Sequence, residues 1–196
     1  MAKKMNLMTL LSVLLTVFFV ILYGNTESDM ILTLAITFGT ISYHFAMRLV
    51  TGSVINLLLN NHVDYRKRWF RVSAMEENLY KKMKVKKWKG KMATYDPSCF
   101  DSKIHSWDEI AQAMCQAELV HEVIIVLSFF PVFAAIPFGT LPVFVITSVL
   151  AACFDAMFVV MQRYNRPRII KLIENSGRNK LKTVVPNDNH SCLGRP

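Results

Sequence analysis

Residues 117–161 read AELVHEVIIVLSFFPVFAAIPFGTLPVFVITSVLAACFDAMFVVM: two apolar blocks, 117–136 and 141–161, parted only by Pro137, Phe138, Gly139 and Thr140. Each block has about the 20 residues that a helix needs to cross a hydrocarbon core. A connection this short, built on Pro and Gly, reverses the chain, so the pair predicts an antiparallel hairpin of membrane spans. Upstream, residues 7–23 form an uncharged block behind Lys3 and Lys4. A secretory signal begins this way too, but no small-residue cleavage pattern follows. Asn25, Thr26, Glu27, Ser28 and Asp29 read as an external turn, which makes the block a retained first span. Residues 30–59 exceed one span and carry His44 and Arg48; Gly52 and Ser53 predict a break between a span over 30–50 and a short interfacial helix over 54–59.

Apolar residues make up 53% of the 196, and their segregation into long blocks is the mark of a membrane protein rather than of a soluble core. Charge orients the blocks. Of the 23 Lys and Arg residues, 12 lie between His62 and Ile110, 8 lie from Gln162 onward, and the two turns between spans hold none. The positive-inside rule then places both termini and the central segment in the cytoplasm. The expectation is an all-α integral membrane protein of the cell membrane, a four-span helical bundle forming one domain over 1–196. Its spans are near 7–23, 30–50, 117–136 and 141–161, with a basic cytoplasmic segment at 62–116 and a cytoplasmic tail at 162–196. The net charge of +9 reports orientation and contact with anionic lipids. Nucleic acid is not a predicted partner, because no recognition motif accompanies the charge. Cys99, Cys115, Cys153 and Cys192 show no paired or finger spacing, and three of them fall on the reducing side. Asn189, His190 and Ser191 match a glycosylation acceptor, but in a cytoplasmic tail they would not meet that machinery.

Ionisable residues inside spans are costly and mark sites or partners. His44 and Arg48 stand one turn apart on one face of span two, and Glu118 and His121 one turn apart at the start of span three. Asp155 lies in span four, where it is expected to reach Arg48 or His44. The run Gln162, Arg163, Tyr164, Asn165, Arg166, Pro167, Arg168 closes that span. All of these groups converge on the cytoplasmic leaflet. Boundary arginines commonly snorkel and a lone intramembrane His commonly satisfies a hydrogen bond, but this many at one depth predict a site. Pro167 is expected to turn the chain away where that site ends.

A His with a carboxylate one turn away is suited to general-base work on a hydroxyl, with arginines placed for phosphate or an oxyanion. Glu118-x-x-His121 also has the spacing of a di-iron helix, yet the second such motif and the extra carboxylates that chemistry needs are missing from the sequence, so no metal and no cofactor is predicted. No glycine-rich nucleotide loop or nucleophile elbow is present, which speaks against a methyltransferase or hydrolase. Nothing marks Cys115 as an activated nucleophile. Lys81, Lys82, Lys84, Lys86, Lys87 and Lys89, interleaved with Met83, Val85 and Trp88, read as a basic amphipathic stretch resting on anionic lipid or guiding a negatively charged thioester carrier. Further along, 95–100 reads as a turn and 104–116 as a helix capped by Ser106, with Asp108 and Glu109 in its first turn.

Three elements together carry a resemblance. Glu77, Tyr80, Val85, Trp88 and Lys89, then Ala117–Glu118–Leu119–Val120–His121, then the QRYNRPR run from Gln162 to Arg168 resemble the bacterial glycosyl-4,4'-diaponeurosporenoate acyltransferases. Those are small membrane enzymes of Gram-positive bacteria that esterify a fatty acyl chain onto the sugar of a glycosylated carotenoid. The resemblance covers about half the chain and leaves Tyr43, His44 and Arg48 outside it. It implies a membrane acyltransferase moving an acyl chain from acyl-CoA or acyl-carrier protein to a hydroxyl of a lipid acceptor. In that reading His121 is the base and Glu118 its orienter. Arg163, Arg166 and Arg168 hold the donor phosphates or the oxyanion, Tyr164 and Asn165 the headgroup, and His44 and Arg48 assist. The alternative is a non-catalytic scaffold that engages anionic lipids or a partner enzyme through its basic face.

Overall fold

The computed structural model describes residues 2–92, 97–139 and 141–184, and every regular element among them is a helix. Helix α1 (Ala2–Thr26) leaves Leu10, Leu14, Phe18 and Ile21 largely uncovered. A helix apolar on every side and this exposed has lipid as its solvent. Helix α2 (Asp29–Leu59) returns beside it after a tight turn at Glu27. The two meet through a 3.0 Å hydroxyl contact between Thr16 and Ser42 and a stack of Phe19 on Phe38 at 5.3 Å. The hydroxyls of Thr9, Thr33, Thr37 and Thr40 each donate to the carbonyl four residues earlier, so none is left unsatisfied in hydrocarbon.

The expected break at Gly52 and Ser53 does not occur: α2 is continuous to Leu59. A glycine costs a helix about 1 kcal/mol, whereas backbone groups released into a membrane cost several kcal/mol each, so the ladder persists. It ends where it can, at Asn60 and Asn61, which take left-handed φ of 43° and 59°; Asn tolerates that region better than most residues. The Gln116 amide pins this exit, accepting from Asn61 N–H at 2.7 Å and donating to Asn56 at 3.0 Å.

Beyond α2 a layer folds across one end of the bundle. A short 3-10 turn at Arg68–Phe70 leads to α3 (Ala74–Lys82), opened by a capping box between Ser73 and Glu76, and then to α4 (Val85–Trp88). Val63, Tyr65, Phe70, Ala111 and Cys115 form a buried cluster, covered by Leu59, Leu119, Ile169, Ile170 and Ile173. Three separate stretches of chain, 59–70, 111–119 and 169–173, therefore meet in one small core. Of the turn expected at 95–100, Pro97–Phe100 is a 3-10 turn; residues 95 and 96 lie outside the described residues, as do 189–191.

Helix α5 (Trp107–Leu127) begins at a capping box between Ser106 and Glu109, as its first turn suggested, and runs unbroken through the predicted boundary at 117. It ends at Leu127. A 3-10 turn at Phe130–Ala134 and α6 (Ala135–Phe138) complete the crossing. The chain then reverses at Gly139, whose φ of 70° and ψ of −150° only glycine adopts without strain. Helix α7 (Leu141–Val184) has 44 residues, roughly 66 Å at 1.5 Å per residue, about twice a hydrocarbon core. It continues as helix through Pro167, where the chain was expected to turn away. The proline forfeits one ladder bond, costing about 3 kcal/mol. Packing on both flanks holds the rod: Arg163 and Arg166 bind the 68–71 loop before it, and Ile169, Ile170 and Ile173 join the buried cluster after it.

Among the described residues, four helical segments are long and apolar enough to span a membrane: Lys3–Thr26, Asp29–Leu59, Trp107–Phe138 and Leu141–Ser176. The fold is the expected all-α, four-span membrane architecture. α1 packs on α2, α2 on α5, and α5 on α7.

Candidate active site

Two polar nodes lie between α2, α5 and α7, one helical turn apart along α5. The inner one centres on Asp155, which is fully buried on α7. One of its oxygens takes an ion pair with Arg48 Nη2 from α2, and the other meets His121 Nδ1 from α5 at 2.9 Å. Arg48 also donates to the His44 carbonyl at 3.0 Å. The His121 ring lies flat on Phe158, with centroids 4.5 Å apart and planes 6° apart. The imidazole is thus fixed in plane by a carboxylate and in tilt by an aromatic face. With the Nδ1 proton directed at Asp155, Nε2 keeps its lone pair, the arrangement a general base requires. Among the described residues, neither ring nitrogen of the buried His44 has a hydrogen-bond partner, and Ser148 Oγ, on α7, is likewise buried without one.

The outer node centres on Glu118, also fully buried. Arg163 Nη1 donates to its Oε1 at 2.7 Å, and Arg166 Nη2 is ion-paired with Oε2. Arg163 reaches Glu76 of α3 at 2.9 Å with its other terminal nitrogen and donates to the Trp69 and Arg71 carbonyls, each at 3.3 Å. Arg166 donates to the Phe70 carbonyl at 2.7 Å, with its guanidinium 5.1 Å above the Phe70 ring. Two guanidinium groups face two carboxylates, so the node is neutral as a unit. Burial works against ionising Glu76, but the Ser73 N–H and the Arg163 charge outweigh it and hold its pKa below the ordinary glutamate value. Burial, with the nearby Glu76 charge, raises the Tyr80 phenol.

This geometry redistributes the roles expected from sequence. Glu118 and His121 share a helix face but not a partner: the buried arginines claim Glu118, and Asp155 takes His121. The two therefore do not form the expected base–orienter pair, nor do they converge as ligands. Arg166 is fully buried, so it has no surface to offer a donor phosphate. Arg168 turns to Tyr164, donating to its hydroxyl at 2.8 Å and lying 4.6 Å over its ring, and Lys89 approaches the same ring at 5.0 Å and binds Asn165. Tyr164 and Asn165 thereby tie α7 to the α4 end of the basic segment. Desolvation and the charges of Arg168 and Lys86 lower the Lys89 pKa. Arg48 pairs with Asp155 as anticipated, and His44 stands beside it. The contributions of Glu76, Trp69 and the Phe70 carbonyl were not anticipated, since a main-chain oxygen carries no sequence signal.

A family model described as glycosyl-4,4'-diaponeurosporenoate acyltransferase matches residues 66–175, a stretch that includes Glu76, Glu118, His121, Asp155, Arg163 and Arg166 and more than half the chain. The chain belongs to that family. It is therefore an enzyme, an acyltransferase of a carotenoid-related family, and a multi-pass membrane protein. No curated protein and no solved structure matches the chain. Both nodes have their α5 and α7 members inside the match, while His44 and Arg48 lie outside it.

Proposed function

We propose that this protein moves a fatty acyl chain from a cytoplasmic thioester donor to a hydroxyl of a lipid-linked acceptor, with a glycosylated carotenoid as the acceptor the family description favours. The bond between His121 Nδ1 and the buried Asp155 carries this reading, because it leaves Nε2 as the ring nitrogen free to accept a proton from an acceptor hydroxyl.

In the proposed step, Nε2 of His121 removes the acceptor hydroxyl proton as the oxygen attacks the thioester carbonyl. The imidazolium so formed is stabilised by Asp155, whose second oxygen stays on Arg48. The tetrahedral oxyanion collapses, the carbon–sulfur bond breaks, and the imidazolium protonates the departing thiolate. Ester and free thiol are the products, and the base is restored. His44 lies beside Arg48 with both ring nitrogens buried and, among the described residues, without a hydrogen-bond partner, so no contact with the reacting atoms is assigned to it. Glu118, Arg163 and Arg166 hold α5, α7 and the 68–71 loop in register and do not touch the reacting atoms. Both termini and the 62–116 segment face the cytoplasm of the cell membrane, in keeping with the distribution of Lys and Arg, and the exposed lysines of α3 and α4 rest on anionic lipid.

Mass spectrometry of total lipid extracts from cells making the parent or the H121A protein tests the reading. The parent is expected to yield an acyl ester of a glycosylated lipid that H121A cells lack, with equal protein in the membrane fraction. Equal amounts of that ester in both would remove His121 from the reaction.

A further inference from the structure

Displacing Arg166 and Arg168 from the donor leaves open what recognises it. Next to the outer node lies an open groove of about 420 Å³ lined by Arg68, Trp69, Arg71 and Arg163, within the size range of ligand clefts. Among the described residues, Arg163 is ion-paired with Glu76 and Glu118, whereas no ion pair involves Arg68 or Arg71. Both side chains are exposed. Two uncompensated planar forks beside a third, fixed one make a site for an anion with several oxygens, of which phosphate is the usual biological form. Trp69 is 64% exposed, yet its ring is not free to wander, since its N–H donates to Glu122 at 3.1 Å. A tryptophan held at one edge presents its face to a planar partner.

Position adds a second argument. Glu122 directly follows His121 on α5, so the bond from Trp69 ties the groove's aromatic wall to the turn of α5 that carries the proposed base, on an adjoining face of that helix. A second cavity, of about 290 Å³, shares Trp69 and is walled by Leu59, Val63, Phe70 and Leu119 among others. It offers an apolar surface beside the cationic one.

We propose that the groove lined by Arg68, Trp69, Arg71 and Arg163 binds the phosphate-bearing head of a nucleotide thioester of the coenzyme A type, with Trp69 stacked on the base. The proposal rests on the acyl-transfer reading above and names its donor class. The same phosphate chemistry is available from an anionic lipid headgroup, which lacks a base to stack on an exposed indole, so the two sources are separable by experiment.

The test is calorimetric titration of the full-length protein in phosphatidylcholine nanodiscs with coenzyme A, its 3'-dephospho form and pantetheine. Coenzyme A is expected to bind, the dephospho form more weakly, and pantetheine not measurably. R68Q and R71Q should each weaken coenzyme A binding about tenfold, the scale of one charge-assisted hydrogen bond. R68K and R71K, which keep the charge but lose the fork, should lie between. H121A should bind as the parent does. An R68Q/R71Q double variant with the parent's affinity overturns the proposal. So does failure of the parent to bind coenzyme A in any form while a phosphopantetheinylated carrier protein supports turnover. In discs doped with phosphatidylglycerol, retention of that lipid by the parent but not by the double variant, with coenzyme A binding unchanged between them, assigns the groove to lipid and overturns it as well. If the arginine variants lose coenzyme A but H121A still forms ester, the catalytic assignment fails and the groove stands.

Discussion

At the scale of single residues, the difference between Glu118 and Asp155 organises the site. Both are fully buried carboxylates, but one is neutralised by two arginines and the other is shared between an arginine and a histidine. A buried ion pair that loses one member leaves an uncompensated charge, costing about 3–5 kcal/mol. E118Q should therefore lower the thermal stability of the protein in detergent by that order, with lost activity tracking lost folded protein. Stability equal to the parent's would mean the node does not hold the helices. Glu76 allows a pH test outside the spans. Its pKa is depressed in the folded state, so its contribution is present above the ordinary glutamate pKa and is lost as pH falls through the lowered folded value. E76Q should flatten the acid limb of a stability–pH curve there and leave the neutral limb parallel to the parent's. An acid limb as steep as the parent's would refute the assignment.

The same scale explains what could be read in advance. His44, Arg48, His121 and Asp155 stood out because charge inside an apolar block is rare, and the span pattern assigned them one depth. Which carboxylate would meet which base was not legible. An i,i+3 spacing places Glu118 and His121 on one face, but partners on α7 outcompeted that local pairing, and no helix periodicity encodes the rotation of one rod against another.

At the scale of elements, a local cap was legible and breaks expected from single-residue propensity were not. Ser106 with Glu109 announces α5 through a local capping box, formed as the residues suggest. Gly52 and Pro167 signal breaks only by local propensity, and in α2 and α7 the environment outweighs it: lipid in one, flanking packing in the other. Lys84 shows the opposite balance, entering α4 with φ of 51°, where a Cβ is strained. K84G should be neutral to stabilising by up to about 1 kcal/mol in thermal unfolding, despite the lost charge. A clear destabilisation would mean that the lysine side chain itself is needed there.

At the scale of the whole molecule, four apolar blocks were enough to define the four-span helical architecture. The small core at the end of the bundle was not visible, because Val63, Tyr65 and Phe70 come from a stretch that shows neither a span nor a strong period. That core joins the long end of α7 to the start of α5 and keeps both nodes aligned. Orientation is the matching prediction: fluorescent reporters that fold only in the cytoplasm, fused at either end, should both be bright. A dark reporter at one terminus, with protein present, would contradict the assigned topology.

The central claim, that His121 held by Asp155 is the base for acyl transfer, is most directly tested by the rate of thiol release from acyl-coenzyme A with acceptor lipid, measured on purified parent, H121A and D155N in nanodiscs. H121A should lose about 10²–10⁴-fold in rate, the usual contribution of a general base, while melting at the parent's temperature. D155N should lose both rate and stability, because it also strands Arg48. An H121A rate within about threefold of the parent's, well below that general-base contribution, would contradict the account.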